Sequence, residues 1–396
     1  MIHVDEASRI VLSNTFKPGT EKVKIDDALN RILKEEVVAD RDFPPFNRVM
    51  MDGIAIKSDE WESGRREFYI EGVQTAGAPQ MALSESVNCL EVMTGAMLPQ
   101  YTDVVIRYED VEIHDSIAKV LIDEITPLQN IHLKGTDRLE GESLISNHKV
   151  LSPAEIAVLA TVGKAEVEVQ QLIKVAIVST GDELVSVDQT PNPYQIRRSN
   201  SHALLAALKQ HGFTATIFHI NDDEITLKKK LQEILNDYDA ILLSGGVSKG
   251  KKDYVPAALE SLKVEKLFHK VAQRPGKPFW FGKNDNTTVF ALPGNPVSTF
   301  MCFYRYVLPW LYASYEIDVQ PRTAQLAEDF KVVPDLTYFL QVKIKRSESG
   351  EVIAVPVSGR GSGDLANLLE ADAFLELPQG KTEFKAGEVY HRIDYR

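Results

Sequence analysis

The sequence has few cysteines, no unbroken apolar run of membrane length and no excess of positive charge. Two cysteines, Cys89 and Cys302, are too few for a disulfide framework or a thiolate metal centre. Both stand in apolar surroundings, as small core residues do. No stretch reaches the roughly 18–20 apolar residues of a membrane span. The longest candidate, "NPVSTFMCFYRYVLPWLY", is interrupted by Arg305 and Pro309. The first residues, "MIHVDEASRIVLSN", carry acids where a secretory leader would be basic, so no leader is expected. The nine histidines show no HxxxH or HExxH spacing, which argues against a histidine-built zinc site. A net charge of −13 argues against a nucleic-acid binder, which needs a basic face. The expectation is a cytoplasmic protein in a reducing setting, with neither nucleic acid nor membrane as partner. An acidic chain that binds an anion must do so through local basic clusters, so each such cluster is informative.

At 396 residues the chain exceeds one ordinary core, and two to four domains are expected. Ala7, Ile10 and Val11, then Ala28, Leu29, Ile32 and Leu33, recur at helical spacing, which predicts two helices before residue 40. From Phe68 to Ile125 short apolar runs are broken by Gly, Pro and Asn, the pattern of a β-rich unit. Ser152, Pro153, Glu155 and Gly163 combine a capping box, a first-turn proline and a glycine stop, predicting a helix over 152–163. Residues 43–127 then read as a β-rich insertion between the halves, 1–42 and 128–172, of a helical or elongated domain. From 173 to 315 apolar strands such as "IKVAIVST" and "DAILLSGG" alternate with helices such as "SNSHALLAALKQHG", which looks capped at its start. That alternation predicts a doubly wound, largely parallel α/β domain. Residues 316–396 lose the helices and read as a small all-β domain, sandwich or barrel.

In an open parallel sheet, ligands bind outside the carboxyl ends of the strands. Four Gly- or Pro-rich turns follow the predicted strands: "STGDEL" (179–184), "SGGVSKGKKD" (244–253), "QRPGKP" (273–278) and "LPGNP" (292–296). In the second, Ser244, Gly245, Gly246, Ser248 and Gly250 can turn backbone N–H groups toward one point as an anion nest, with Lys249, Lys251 and Lys252 adding charge. A plain strand-to-helix turn with solvated lysines fits the same residues. Lys270, Arg274 and Lys277, with Gly276, form a second basic cluster, or a solvated strand end. Asp182 and Glu183 suggest a divalent cation or proton transfer, and equally a helix cap. Pro293 and Gly294 share the rim, while Asn295 before Pro296 is explained as a cap. Asp52 in "MMDGIA" and Thr94 in "MTGAMLP" read, alone, as turn residues.

Taken together, "PPFNRVMMDGIAI", "MTGAMLPQYTDVVIRYED", "STGDELV", "RRSN", "DAILLSGGVSKGKKDYV", "RPGKP" and "LPGNPVS" resemble, in order and over nearly the whole chain, the molybdopterin molybdenumtransferase family. This is the MoeA type, related to the E domain of gephyrin. The resemblance implies four domains, the α/β one being MogA-like, and an elongated homodimer whose site lies between that domain and the partner's inserted domain. It implies molybdenum insertion into adenylylated molybdopterin, with molybdate as co-substrate, release of AMP, magnesium as cofactor and a molybdopterin adenylyltransferase as partner. Carried over by motif, Asp52, Thr94, Glu183, Asp222 and Asp253 would be catalytic, with the last three on the metal. Asp137, Lys270 and Arg274 would contact substrate. Departures from the family pattern are Val49 for serine, His132 and Thr136 for arginine and glutamate, Arg274 for lysine and Gln341 for arginine. Competing readings are a molybdopterin adenylyltransferase, a scaffold of the gephyrin type and a paralogue of degraded activity.

Overall fold

The computed structural model describes residues 1–246, 254–333 and 335–396. They form two compact units, Met1–Glu21 with Gln170–Arg396, and Lys22–Val169.

Continuous apolar segments become the central strands of the first unit. In chain order the elements that build and flank its α/β sheet are β1 (Val175–Thr180), α1 (Ser199–Gln210), β2 (Ala215–Ile220), α2 (Glu224–Asp237), β3 (Ala240–Ser244), α3 (Val255–Ser261), β4 (Glu265–His269), β5 (Gln273–Arg274), β6 (Trp280–Lys283), β7 (Thr288–Leu292) and α4 (Pro296–Cys302). The sheet order is β2-β1-β3-β7-β6-β4. Strands β2, β1, β3 and β7 run parallel, and β6 is antiparallel to both its neighbours. Every residue of β1, β3 and β7 is buried, as a sheet covered on both faces requires. Leu227, Leu231, Ile234 and Leu235 of α2 pack in one core with Val178, Ile241 and Leu243. Burial of each such side chain stabilises by roughly 1.5–3 kcal/mol. On the opposite side chain parity, Phe290 meets Trp310 edge-on at 5.3 Å between ring centres. The predicted largely parallel doubly wound sheet is therefore present. Strands β4 and β6 were not legible, because charged and glycine residues break their short apolar runs.

The run "NPVSTFMCFYRYVLPWLY" is a core helix of this domain, continuous through a π-helical stretch at Phe303–Val307. Its Arg305 reaches Glu376 with Nε at 2.9 Å. Among the described residues no helix is long and apolar enough to cross a membrane. Cys89 and Cys302 are free and buried, and burial pushes the Cys89 thiol up to about 12.

Five further strands, β8 (Arg322–Leu326), β9 (Thr337–Arg346), β10 (Val352–Pro356), β11 (Ala373–Leu377) and β12 (Val389–Asp394), follow in the same unit. They run β9-β10-β8-β12-β11, and β11 pairs back with β9, so the sandwich-or-barrel alternative resolves to a closed barrel. The short β5 leaves the α/β region to pair in parallel with the start of β9.

The N-terminal pattern misled in two ways. Only Val4–Leu12 is a helix there. Ala28, Ile32 and Leu33 are buried without one: Ile25–Asp27 is a single 3-10 turn, Asn30 has φ +63° and Ile32 and Leu33 sit in β-bridges. Residues 1–42 also do not stay together. Ile2 pairs with Val271 and Trp310 Nε1 donates to Asn14 O at 2.8 Å, which places Met1–Glu21 in the first unit.

The second unit contains a six-stranded sheet whose strands lie between Gly53 and Val120, around Ile54, Phe68, Val104 and Ile106. A separate core joins Ala28, Leu33 and Val37 to Ile145, Leu159 and Val167. The helix Pro153–Thr161 starts with the predicted box, Glu155 accepting from Ser152 N at 2.8 Å and Ser152 from Ala154 N at 3.2 Å.

Candidate functional site

The carboxyl ends of β1, β2, β3 and β7 and the turn after β5 line one cavity of 1120 Å³. The sequence-predicted residues that meet there are Glu183, Asp222, Gly245, Gly246, Arg274, Gly276, Lys277, Pro293 and Gly294. Asp182 ties two of these loops, its Oδ1 accepting from Asp222 N at 3.1 Å. No helix begins at Thr180–Glu183, which removes the capping alternative for that turn.

Two glycines show why the backbone turns as it does. Gly246 has φ +68°, and a Cβ there would lie 2.6 Å from Val255 Cγ2. Gly276 has φ +91°, and a Cβ would meet Cys302 Sγ and Gln273 Nε2, each at 2.8 Å. Gln273 is fully buried and shapes that turn: its Nε2 donates to Gly276 O at 3.0 Å, and Tyr306 OH donates to its Oε1. Arg274 is exposed, with its guanidinium 5.9 Å from the Tyr338 ring centre and NH1 donating to Val333 O at 3.3 Å.

Other predicted residues fall elsewhere. Ser244 is buried below the rim, its Oγ accepting from Asn200 Nδ2 at 2.9 Å. Lys270, with φ +75°, is absent from the cavity lining; its N–H donates to Phe279 O at 2.9 Å. Ser248, Gly250 and Asp253, with Lys249, Lys251 and Lys252, lie outside the described residues. Asp52, Thr94 and Asp137 belong to the second unit. There Asp52 Oδ1 accepts from Thr94 N at 2.6 Å and from Thr94 Oγ1 at 2.7 Å. Those two bonds, the backbone one foremost, hold the Asp52 carboxyl below its usual range.

The departures at His132 and Val49 have a structural account. His132 faces Arg48 across a two-stranded ladder. Arg48 NH2 lies 3.0 Å from His132 Nδ1, and His132 Nε2 lies 2.9 Å from Asp137 Oδ1. A guanidinium only donates, so Nδ1 accepts and the ring proton sits on Nε2, facing Asp137. The imidazole thus joins a cation to Asp137 from the adjacent strand. Val49 is fully buried beside Ala55 and Val92. Thr136 closes a turn, its Oγ1 donating to Leu133 O at 2.7 Å.

Several functional groups were missed. Asn295 stands at the N-cap of α4 but makes no capping bond; its Nδ2 donates instead to Ser362 Oγ at 2.7 Å. Asn200, expected within a capped helix start, makes no cap either and ties Ser244 to Gly294 O at 2.8 Å. The barrel contributes Tyr338, Gln341 and the loop Gly359–Gly363 to the cavity wall. The spaced glycines of "SGRGSGD" were the available signal for that loop. Thr180 Oγ1, also on the wall, is buried and has no hydrogen-bond partner among the described residues.

A doubly wound domain whose strand ends open into a cation- and carboxylate-lined cavity, walled on another side by a small barrel, defines a multidomain α/β protein with a cavity of small-molecule size at its strand ends. Family models narrow the class. The MoeA N-terminal region (domain I and II) matches residues 2–163, the "Probable molybdopterin binding domain" 176–313 and the MoeA C-terminal region (domain IV) 323–391. The chain belongs to the MoeA family. A molybdopterin molybdenumtransferase of Synechocystis sp. is 39% identical, with 98% of this chain and 99% of the relative aligned. One from Staphylococcus aureus is 32% identical, with 99% and 94% aligned. The molybdopterin biosynthesis MoeA protein of Pyrococcus horikosii superposes with a TM-score of 0.83 at 29% identity, covering 100% of this chain and 99% of that one.

Proposed function

We propose that the protein inserts molybdenum into adenylylated molybdopterin, using molybdate and releasing AMP, as a step of molybdenum cofactor biosynthesis. The observation that carries the reading is the convergence, in a MoeA-family chain, of a glycine turn, three cations and two carboxylates on one 1120 Å³ cavity. A pyrophosphate needs backbone N–H groups and cations, which Gly245, Gly246, Arg274 and Lys277 offer. Fixed cations stabilise the charge that develops on the departing phosphate. Molybdenum is cargo, and its ligands are the pterin sulfurs, so the chain needs no cysteine cluster.

Among the described residues no group of three His, Cys, Asp or Glu is placed to hold a metal. Magnesium commonly takes one or two carboxylates and completes its shell with phosphate and water. Glu183 and Asp222, both on the cavity wall, fit that donor set, and Asp253 is proposed as a third carboxylate. Magnesium held there would neutralise the pyrophosphate oxygens. Asp52 and Thr94 are proposed to act in the reaction within a homodimer, and Asp137, Lys270, Ser248 and Gly250 to support substrate binding. A four-domain division (1–42 with 128–172, 43–127, 173–315 and 316–396), amended for Met1–Glu21, a cytoplasmic setting and a molybdopterin adenylyltransferase as substrate donor complete the proposal.

The test supplies purified protein with adenylylated molybdopterin, molybdate and magnesium and follows AMP. Molybdate-dependent AMP release supports insertion. Formation of the adenylylated species from ATP and molybdopterin would assign the protein to the preceding step instead.

A further inference from the structure

Of the cavity-lining residues that the barrel supplies, Arg360 is the one that carries a charge. It sits at the tip of the Gly359–Gly363 loop, which sequence reading left unassigned. The loop is anchored at three places. At its barrel foot Val357 N donates to Gln341 O at 2.9 Å. Around the tip, Arg360 N donates to Asp364 Oδ2 at 3.0 Å and Asp364 N to Gly361 O at 3.1 Å. Across the cavity, Ser362 O accepts from Val297 N at 3.1 Å and Ser362 Oγ from Asn295 Nδ2 at 2.7 Å. A Cβ at Gly359 would lie 2.7 Å from Asn367 Nδ2, the amide that donates to Gln341 Oε1, so a side chain there would displace that bond.

The side chain that this scaffold presents is exposed and pairs with no carboxylate among the described residues. Its neighbour on the wall, Gln341, is neutral, and its Oε1 is already taken by Asn367 Nδ2 at 3.0 Å. Arg274 leans on Tyr338 of the same strand, β9. Arg274 and Arg360 both line this cavity, while the carboxylates Glu183 and Asp222 stand on the loops of the sheet. A guanidinium fork matches two oxygens of a tetrahedral dianion, which a neutral amide does not.

We propose that Arg360 is a specificity-determining residue of the substrate site, binding a tetrahedral dianionic oxyanion at the barrel wall together with Arg274. The inference rests on the reading of this cavity as the substrate site and deepens it. Two sources have this chemistry, free molybdate and a phosphate of the adenylylated pterin. Calorimetric titration of the full-length protein with sodium molybdate alone, and separately with ADP as a pyrophosphate probe, distinguishes them. Arg360→Gln weakens one of the two probes by about tenfold or more, and the probe affected names the source. Arg360→Lys, which keeps charge without the fork, gives an intermediate loss, and Ser362→Ala, which frees the loop, a smaller one. Unchanged melting temperatures show that the loss is local. The proposal is overturned if Arg360→Gln binds both probes within about threefold of the parent, or if the parent binds neither. A parent that binds molybdate through Arg360 yet releases no AMP would sink the proposed reaction and leave Arg360 standing.

Discussion

Replacing Gly276 by alanine tests whether the turn that presents Arg274 and Lys277 is set by packing beneath it. The φ of +91° costs a residue with a β-carbon about 1–2 kcal/mol. The new carbon would also lie 2.8 Å from Cys302 Sγ, 2.8 Å from Gln273 Nε2 and 3.0 Å from Met301 Cε. All three neighbours are fully buried, so none can swing into solvent. Overpacking such a wall costs about 1–3 kcal/mol, for a combined loss of about 2–5 kcal/mol. Gly361→Ala is the matched control: φ is +117°, yet nothing lies within 4 Å of the added carbon, so only the backbone cost applies. Urea unfolding followed by tryptophan fluorescence reads the relevant unit, because Trp280 and Trp310 lie in it and only Trp61 in the other. The expected result is a markedly lower midpoint for Gly276→Ala than for Gly361→Ala, with KM for the adenylylated substrate raised. Equal midpoints would refute the packing argument.

Three other outcomes follow from the same geometry. Burial would raise Glu71, but bonds from Ser84, Asn88 and Glu85 N outweigh it and hold the carboxyl at about 2, below the ordinary 4.5. Its stabilisation is complete above pH 4.5 and is lost as pH falls toward 2, so Glu71→Gln should flatten that part of a melting-temperature profile; parallel profiles contradict this. Glu376→Ala strands the nearly buried Arg305 and should cost about 3–5 kcal/mol, whereas Arg305→Met with Glu376→Met should cost clearly less, as chemical denaturation would show. Asp52→Ala should lower kcat about 100-fold or more with the fold intact by circular dichroism, and a fully active variant would remove Asp52 from the reaction.

Much of the α/β domain was legible because its signals are local and redundant. Strands such as Val175–Thr180 open on four consecutive apolar residues, and α2 repeats leucine and isoleucine along one face. The helix after Ser152 carries its own start signal. The predicted second helix failed because buried residues in an irregular segment imitate helical spacing. Ala28, Ile32 and Leu33 are each at most 4% exposed, yet they reach their core through turns and bridges. Periodicity records which side chains are buried, and only indirectly the backbone that buries them.

The site divides along the same line. The loops at the strand ends were readable, since topology sends every parallel strand end to one edge. The groups that fix those loops were not. Asn295 stands at a helix N-cap and Asn200 in the first turn of a helix that looked capped, and both spend their amides on partners 44 or more residues away. Arg360 reaches the cavity only because β11 closes the barrel onto β9 and because Ser362 is pinned to the start of α4. Local rules assign a polar residue to its nearest orphan backbone group. Where the fold offers it a distant partner beside a cavity, the missing cap becomes evidence in its own right, marking the places where the chain has given up local satisfaction to hold a site together.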